Sequence, residues 1–305
     1  MEIIAFTTEG DGWKKPHAGA ILNQDYILDF AAAYGGTETP ASHLAWLDMD
    51  GEWFQKSRQT YDALVRDSSL IPGAAEKGWL AKRKDAYWCA PVPRPGKLIC
   101  IGLNYRDHAA ESNMPIPERP VVFSKFTTCV IAPGEPVVLP AASTQVDYEA
   151  ELAVVIGRRA KHVSAAHAVD YVLGYTAFND VSARDFQFAD GQWQRGKSCD
   201  TFAPMGQNIV TTDVITNPHT LSIKLILNGK TMQDSNTDQL IFGVPALIEF
   251  LSQTITLEPG DVIATGTPPG VGFARKPPVF LQPGDLMEVV IDGIGTLNNP
   301  VAAAE

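Results

Sequence analysis

Apolar residues come in short runs broken by Gly, Pro and charged residues along most of the chain. EIIAFTT and AGAILNQDYILDF, within the first 29 residues, have that texture and predict small antiparallel strands. The period changes between about Ser42 and Leu80. There HLAWLDMDGEWFQKSRQTYDALVRDSSL places Leu and Trp at near-helical spacing, with a break expected near Gly51. APVPRPGK then stops any helix or central strand, because proline lacks the N–H that either ladder needs. The boundary placed there gives a small N-terminal α/β domain over residues 1–95 and a second domain over 96–305.

Beyond Lys97 the runs KLICIGLNY, RPVVFSKF, EAELAVVIG, YVLGYTAFND, LSIKLILNGK, GDVIATGTPPG and GDLMEVVIDGIG predict many short strands. Helices are expected only around Ala165–Val172 and Val244–Ser252. Asn228–Lys230 (NGK) reads as a hairpin turn, and the PGD triplets at Pro259–Asp261 and Pro283–Asp285 read as turns entering strands. The expected fold class is α+β, mainly β.

One strand begins oddly. DYEAE at 147–151 runs into LAVVIG, so Glu149 and Glu151 point the same way from the mouth of a strand whose faces are both apolar further on. Two ionised carboxylates there suffer desolvation and mutual repulsion that a proton or a cation must relieve. GYTAFND ends on Asp180; if the two strands are neighbours, three carboxylates face one hole, and all-oxygen ligation favours Mg²⁺, Mn²⁺ or Ca²⁺. An isolated ExE is more often the solvent face of an edge strand, and Asp180 alone could be a turn residue.

Three further segments carry candidate chemistry. In GLNYRDHAAES a helix starting near Asp107 puts His108 and Glu111 at i and i+3, a possible base with a carboxylate to orient it or an incidental surface pair. DVSARDFQFADGQWQRGKSCDTFAPMG is too rich in hydrogen-bonding side chains for a linker. It offers Lys197 as a compact positive charge for an enolate or carboxylate, or as an ordinary exposed lysine, and Arg184 as a holder of Asp185 or Asp190. ATGTPPGVG at Ala264–Gly272 is not a P-loop, since the Lys-Ser/Thr ending is absent; it is a tight turn or a ligand-facing loop.

Charge narrows the partners. A net charge of −11 over 305 residues, with Lys and Arg scattered, argues against nucleic acid and anionic membranes. The first twenty residues lack a basic start followed by an apolar run, and no segment is apolar for long enough to span a bilayer, so a cytoplasmic location is expected. Cys89, Cys100, Cys129 and Cys199 lie far apart with no CxxC, which fits reduced, packed thiols.

IGLNYRDHAAES, VDYEAELAVVIG, GYTAFNDVSARDFQ, RGKSCDTFAPMG and DVIATGTPPGVG, in this order, resemble the fumarylacetoacetate hydrolase family from about Lys97 to Val301. The resemblance implies a β-roll catalytic domain, a homodimer, and Mg²⁺ or Mn²⁺ (with Ca²⁺ able to stand in) held by Glu149, Glu151 and Asp180. It also implies a lid dyad at His108 and Glu111, an active-site lysine at Lys197, and Lys125, Arg184, Gln187 and Thr267 near the substrate. Residues 1–95 lie outside the motifs.

Family substrates share a 2-keto acid end. The resemblance thus implies hydrolysis of a 2,4-diketo acid at a C–C bond, with His108 and Glu111 activating water and a pyruvate enolate left behind. The same enolate serves an isomerase, a tautomerase, or a decarboxylase of oxaloacetate. A protein that merely binds 2-keto acids would have no use for His108, Glu111 and Lys197.

Overall fold

The structure is a computed structural model, and it describes residues 1–8, 16–34, 40, 42–111 and 115–304. Two sheets dominate. The larger has eleven strands; ten of them run in the order Leu80–Lys82, Tyr26–Asp29, His17–Ile21, Glu2–Thr7, Asn208–Thr211, Val172–Asn179, Ala150–Ile156, Val262–Ala264, Leu98–Gly102 and Val121–Ser124, and Tyr87–Cys89 also pairs with Glu2–Thr7. The smaller has five, in the order Lys230–Asn236, Ser222–Leu227, Leu286–Ile291, Gly295–Ala303 and Val137–Leu139. The fold is α+β and mainly β.

Strand Ala150–Ile156 is buried at every residue because each side is covered: strands 172–179 and 262–264 flank it in the sheet, and strands 222–227 and 286–291 of the smaller sheet pack on its face. That explains its unbroken apolar run. The expected NGK turn joins strands 222–227 and 230–236, with Asn228 and Gly229 both at positive φ (52° and 76°), as a tight hairpin demands. Both PGD triplets enter strands, at 262–264 and 286–291.

The charged turn expected between the first two strands falls on 9–15, outside the described residues. The Ser42–Leu80 region holds the 3₁₀ turn His43–Trp46 and the helices Glu52–Arg66, which starts at Gly51, and Ile71–Glu76. Helix Val244–Ser252 forms as expected, whereas Ala165–Tyr171 is 3₁₀ and not α. Beyond Lys97 two helices were not foreseen, Arg184–Ala189 and Gln194–Lys197. They are too short to show a hydrophobic period, and neither begins with a side-chain cap. Strand Glu2–Thr7 pairs with Asn208–Thr211, so the large sheet runs without interruption from the first 95 residues into the rest of the chain.

Candidate active site

Ala150 pairs with Asn179 across antiparallel strands, which sets Glu149 and Asp180 side by side just past the ladder, with the Asp180 N–H donating to the Glu149 carbonyl at 2.9 Å. Glu151 is two residues along on the same strand face. Carboxylate oxygens of Glu149, Glu151 and Asp180 all lie within 4.8 Å of one another, and all three residues are buried. The neighbouring-strand condition read from the sequence is met.

Three cations press on the cluster. Lys197 Nζ donates to Glu149 Oε2 (2.7 Å) and Asp180 Oδ2 (2.8 Å). Lys125 Nζ donates to Asp180 Oδ1 (2.5 Å) and to the Val181 carbonyl (3.0 Å). Arg184 reaches Glu149 Oε1 and Asp147 Oδ1, both at 2.6 Å, and Gln187 Oε1 at 3.0 Å. Four buried carboxylates therefore face three buried cations. The unmatched one is Glu151: among the described residues no ion pair reaches it, and its hydrogen bond comes from the Gly266 N–H at 2.9 Å.

The electrostatics follow this arrangement. Burial would raise Glu149, but Lys197 and Arg184 outweigh it and hold the carboxyl down at about 2. Burial, with Asp180 and Glu149 adding repulsion, pushes Glu151 well above the usual carboxylate range. Burial opposes the charge on Lys197, yet Asp180 and Glu149 raise its pKa. An all-carboxylate donor set that is one positive charge short fits a hard divalent ion, and Glu149, Glu151 and Asp180 are the residues able to hold it.

Helix Arg106–Glu111 brings the other group. His108 Nδ1 lies 3.3 Å from Glu111 Oε2, and both Glu111 oxygens accept from the Gly270 N–H at 3.1 Å. Asp107 Oδ1 accepts the His108 N–H (3.0 Å), and its other oxygen accepts from Ser235 Oγ (2.5 Å).

His108, Glu149 and Glu151 share a cavity of about 340 Å³, with Asp180 just behind its lining. Its polar lining comes from His108, Glu149, Glu151, Lys197, Gln187 and Thr267. Its apolar lining comes from Ile101, Leu103, Phe123, Phe188, Trp193 and Phe273. Trp193 sits directly over Gly102, where a Cβ would come within 2.7 Å of its ring.

The structure places the remaining expected residues unevenly. Arg184 lines the cavity, but its guanidinium is engaged by Asp147, Glu149 and Gln187; Asp185 and Asp190 bond elsewhere, to Ser143 and Arg195. Thr267 Oγ1 donates to the Ala150 carbonyl (3.0 Å). Lys125 lies behind Asp180 and is not among the cavity-lining residues. Cys199 is half-buried with its thiol pushed up by burial, in keeping with packing. The sequence reading missed Asp147, although acids at 147, 149 and 151 repeat with the strand period. It also missed Gln233, and it singled out the 264–272 loop for its glycines and free N–H groups without giving the Gly266 and Gly270 amides their partners, Glu151 and Glu111.

A histidine–carboxylate pair and a cluster of buried carboxylates beside one small cavity make a candidate enzyme site. The chain belongs to the fumarylacetoacetate hydrolase family: the family profile described as "Fumarylacetoacetate (FAA) hydrolase C-terminal" matches residues 97–302. A Xenopus laevis protein named "Oxaloacetate tautomerase fahd2, mitochondrial" is 48% identical over 224 residues, 73% of this chain and 70% of that one. The solved fumarylacetoacetate hydrolase of Exiguobacterium antarcticum is 32% identical with a TM-score of 0.80, each chain fully covered. The maleylpyruvate hydrolase of Sphingobium sp. SYK-6, solved with manganese(II) and pyruvate, is 29% identical with a TM-score of 0.78, again with full coverage of both.

These relatives correct the cytoplasmic expectation. The Xenopus protein and its counterparts from Rattus norvegicus, Bos taurus and Homo sapiens are named mitochondrial, which points to that compartment instead. Reading a stretch for secretory-signal character does not choose among compartments inside a cell. Among the described residues no helix is long and apolar enough to cross a membrane.

Proposed function

We propose that this protein is a divalent-cation-dependent tautomerase of a short 2-keto acid, with oxaloacetate as substrate. One observation carries the proposal: His108, with Glu111 at 3.3 Å from its Nδ1, opens on the same cavity as Glu149 and Glu151 of the carboxylate cluster. The substrate comes from the relatives 48% identical to this chain, which are named oxaloacetate tautomerases. Their names move the hydrolytic reading of the sequence to second place.

Glu149, Glu151 and Asp180 would hold the ion, which when bound supplies positive charge and Lewis acidity for the carboxylate and keto oxygens of a 2-keto acid. The rest falls to side chains. His108 takes a proton from C3; the electron pair of that C–H bond becomes the C2=C3 double bond, and the keto oxygen gains negative charge and then the proton that His108 carries, which leaves the imidazole neutral again. Glu111, pinned by the Gly270 N–H, orients the imidazole. Lys197 uses two of its three N–H bonds on Glu149 and Asp180, and its ammonium lies at the cavity where that negative charge develops. The apolar lining keeps bulk water from the reacting carbons.

A second reading, hydrolysis of a 2,4-diketo acid, has the likeness to the Sphingobium hydrolase in its favour. Both readings take a homodimer as the family's assembly, which light scattering on the pure protein checks. The assay that separates the chemistries follows enol absorbance and pyruvate release together, with oxaloacetate and with acetylpyruvate, in Mg²⁺, Mn²⁺ and EDTA. Metal-dependent enol loss without pyruvate is expected. Pyruvate from acetylpyruvate, with no acceleration of oxaloacetate tautomerisation, would establish the hydrolase instead.

A further inference from the structure

Gln233 lies in the middle of strand Lys230–Asn236 of the smaller sheet, is 1% exposed and does not line the cavity. Its Oε1 accepts from the Ala150 N–H at 2.9 Å, and its Nε2 donates to Thr267 Oγ1 and to the Pro268 carbonyl, both at 2.8 Å. Ala150 is the residue between Glu149 and Glu151. The strand next to it, Val262–Ala264, meets this strand at residues 153–155, so by Ala150 that ladder has ended. Two side chains take it over: Gln233 holds the N–H of Ala150, Thr267 Oγ1 holds its carbonyl, and the two bond to each other.

This ring joins three pieces of the site. The turn it grips supplies the Gly266 N–H to Glu151 and the Gly270 N–H to Glu111. Gly270 is pressed on the same strand, with φ at +100° and room for no Cβ, which would meet the Met232 carbonyl at 2.1 Å and Gln233 Cα at 3.3 Å. Two residues on, Ser235 fixes Asp107 at the start of the His108 helix. We propose that Gln233 is the positioning residue that sets the carboxylate pair Glu149–Glu151 against the 265–270 turn, and thereby sets the ion site. The proposal rests on the reading of that cluster as an ion site.

Gln233→Met keeps length and bulk but strips the buried Ala150 N–H and Pro268 carbonyl of their partner. Residues that orient ligands in this way typically change metal affinity by about 10–100-fold. The test uses the full-length protein with Mn²⁺ alone as probe, titrated by calorimetry, together with amide hydrogen exchange of residues 148–152 and 264–271 in metal-free protein and the melting temperature. Asn299→Leu is the control: that buried side chain donates to the carbonyls of Ala132 and Glu135, both at 2.9 Å, away from the cavity.

Both variants should melt earlier. Only Gln233→Met should weaken Mn²⁺ binding by about tenfold or more and expose both segments to exchange. Wild-type Mn²⁺ affinity and wild-type protection in Gln233→Met, with melting lowered as in Asn299→Leu, would reduce Gln233 to a stability role and overturn the proposal. If the wild type itself binds no Mn²⁺, the ion-site reading fails, and exchange alone decides: deprotection of both segments upholds the positioning role, and retention overturns it. Should Gln233→Met not fold, Thr267→Val cuts the same ring from the other side and is read by the same criteria.

Discussion

Glu151 shows how one residue can trade stability for function. It is buried, no cation among the described residues pairs with it, and two other carboxylates lie within 4.8 Å. Gln at this position keeps an oxygen for the Gly266 N–H and removes the uncompensated charge. The metal-free Glu151→Gln protein is expected to be more stable than wild type by about 1–3 kcal/mol, the scale of an unsatisfied buried polar group. The same substitution should weaken Mn²⁺ binding by at least about tenfold. Chemical denaturation and calorimetry on one preparation check both halves; loss of stability would show that Glu151 is compensated in some other way. At this scale the sequence was informative where the strand period shows in the letters, at Glu149, Glu151 and Asp180, and where i, i+3 spacing does, at His108 and Glu111. It was silent on Gln233 and gave Arg184 the wrong carboxylates, Asp185 or Asp190, because the contacts of Gln233 and the ion pairs of Arg184 join residues 34 to 83 positions apart.

Among the elements, the 265–270 turn tolerates least. Ala at position 270 must adopt a φ near +100° and push its Cβ into the Met232 carbonyl. Gly270→Ala should therefore cost about 1–3 kcal/mol of stability through backbone strain. It should also depress turnover, since the displaced amide no longer pins Glu111. Melting curves and kcat measured together test this, and unchanged values of both would contradict it.

The 3₁₀ turn His43–Trp46 carries a pH dependence of its own. His43 Nε2 bonds the Pro91 carbonyl at 2.9 Å and its Nδ1 is buried with no partner among the described residues, so burial lowers the imidazole pKa to about 4. Between about pH 6.5 and 4 the unfolded chain binds a proton there that the folded chain does not, so stability rises with pH across that window and is lost on acidification. The full loss is at most about 3 kcal/mol. His43→Asn should flatten that limb of a stability–pH curve; an unchanged limb would assign it to other groups. The helical character of Glu52–Arg66 and Val244–Ser252 was legible, as were most strands bounded by Gly and Pro, whereas the nine-residue strand Gly295–Ala303 was not. The helices 184–189 and 194–197 were not, since six and four residues span too few turns to display a period.

Across the whole molecule, the family was legible because five motifs occur in a fixed order, each tied to a piece of the site. The continuity of the large sheet was not, because pairing of Glu2–Thr7 with Asn208–Thr211 joins residues some two hundred positions apart and leaves no local mark. The proline-rich stretch that suggested a boundary follows strand Tyr87–Cys89, which pairs with Glu2–Thr7 inside that sheet. Removing residues 1–95 should leave the 208–211 edge unpaired, and the 96–305 fragment is expected to self-associate at that edge or to lose cooperative melting. A fragment that stays discrete in light scattering and melts cooperatively would show that the second part stands alone.

The central claim is that His108 moves a proton at C3 of a 2-keto acid anchored beside the carboxylate cluster. Its most direct test is exchange of the C3 protons of oxaloacetate with deuterated solvent, followed by NMR with Mg²⁺ and with EDTA, for the wild type and for His108→Asn. The account predicts exchange well above the uncatalysed background with Mg²⁺, lost in EDTA, and reduced about 10²–10⁴-fold in the variant while Mg²⁺ still binds. Exchange at the background rate in the Mg²⁺-loaded wild type, or full exchange in His108→Asn, would contradict it.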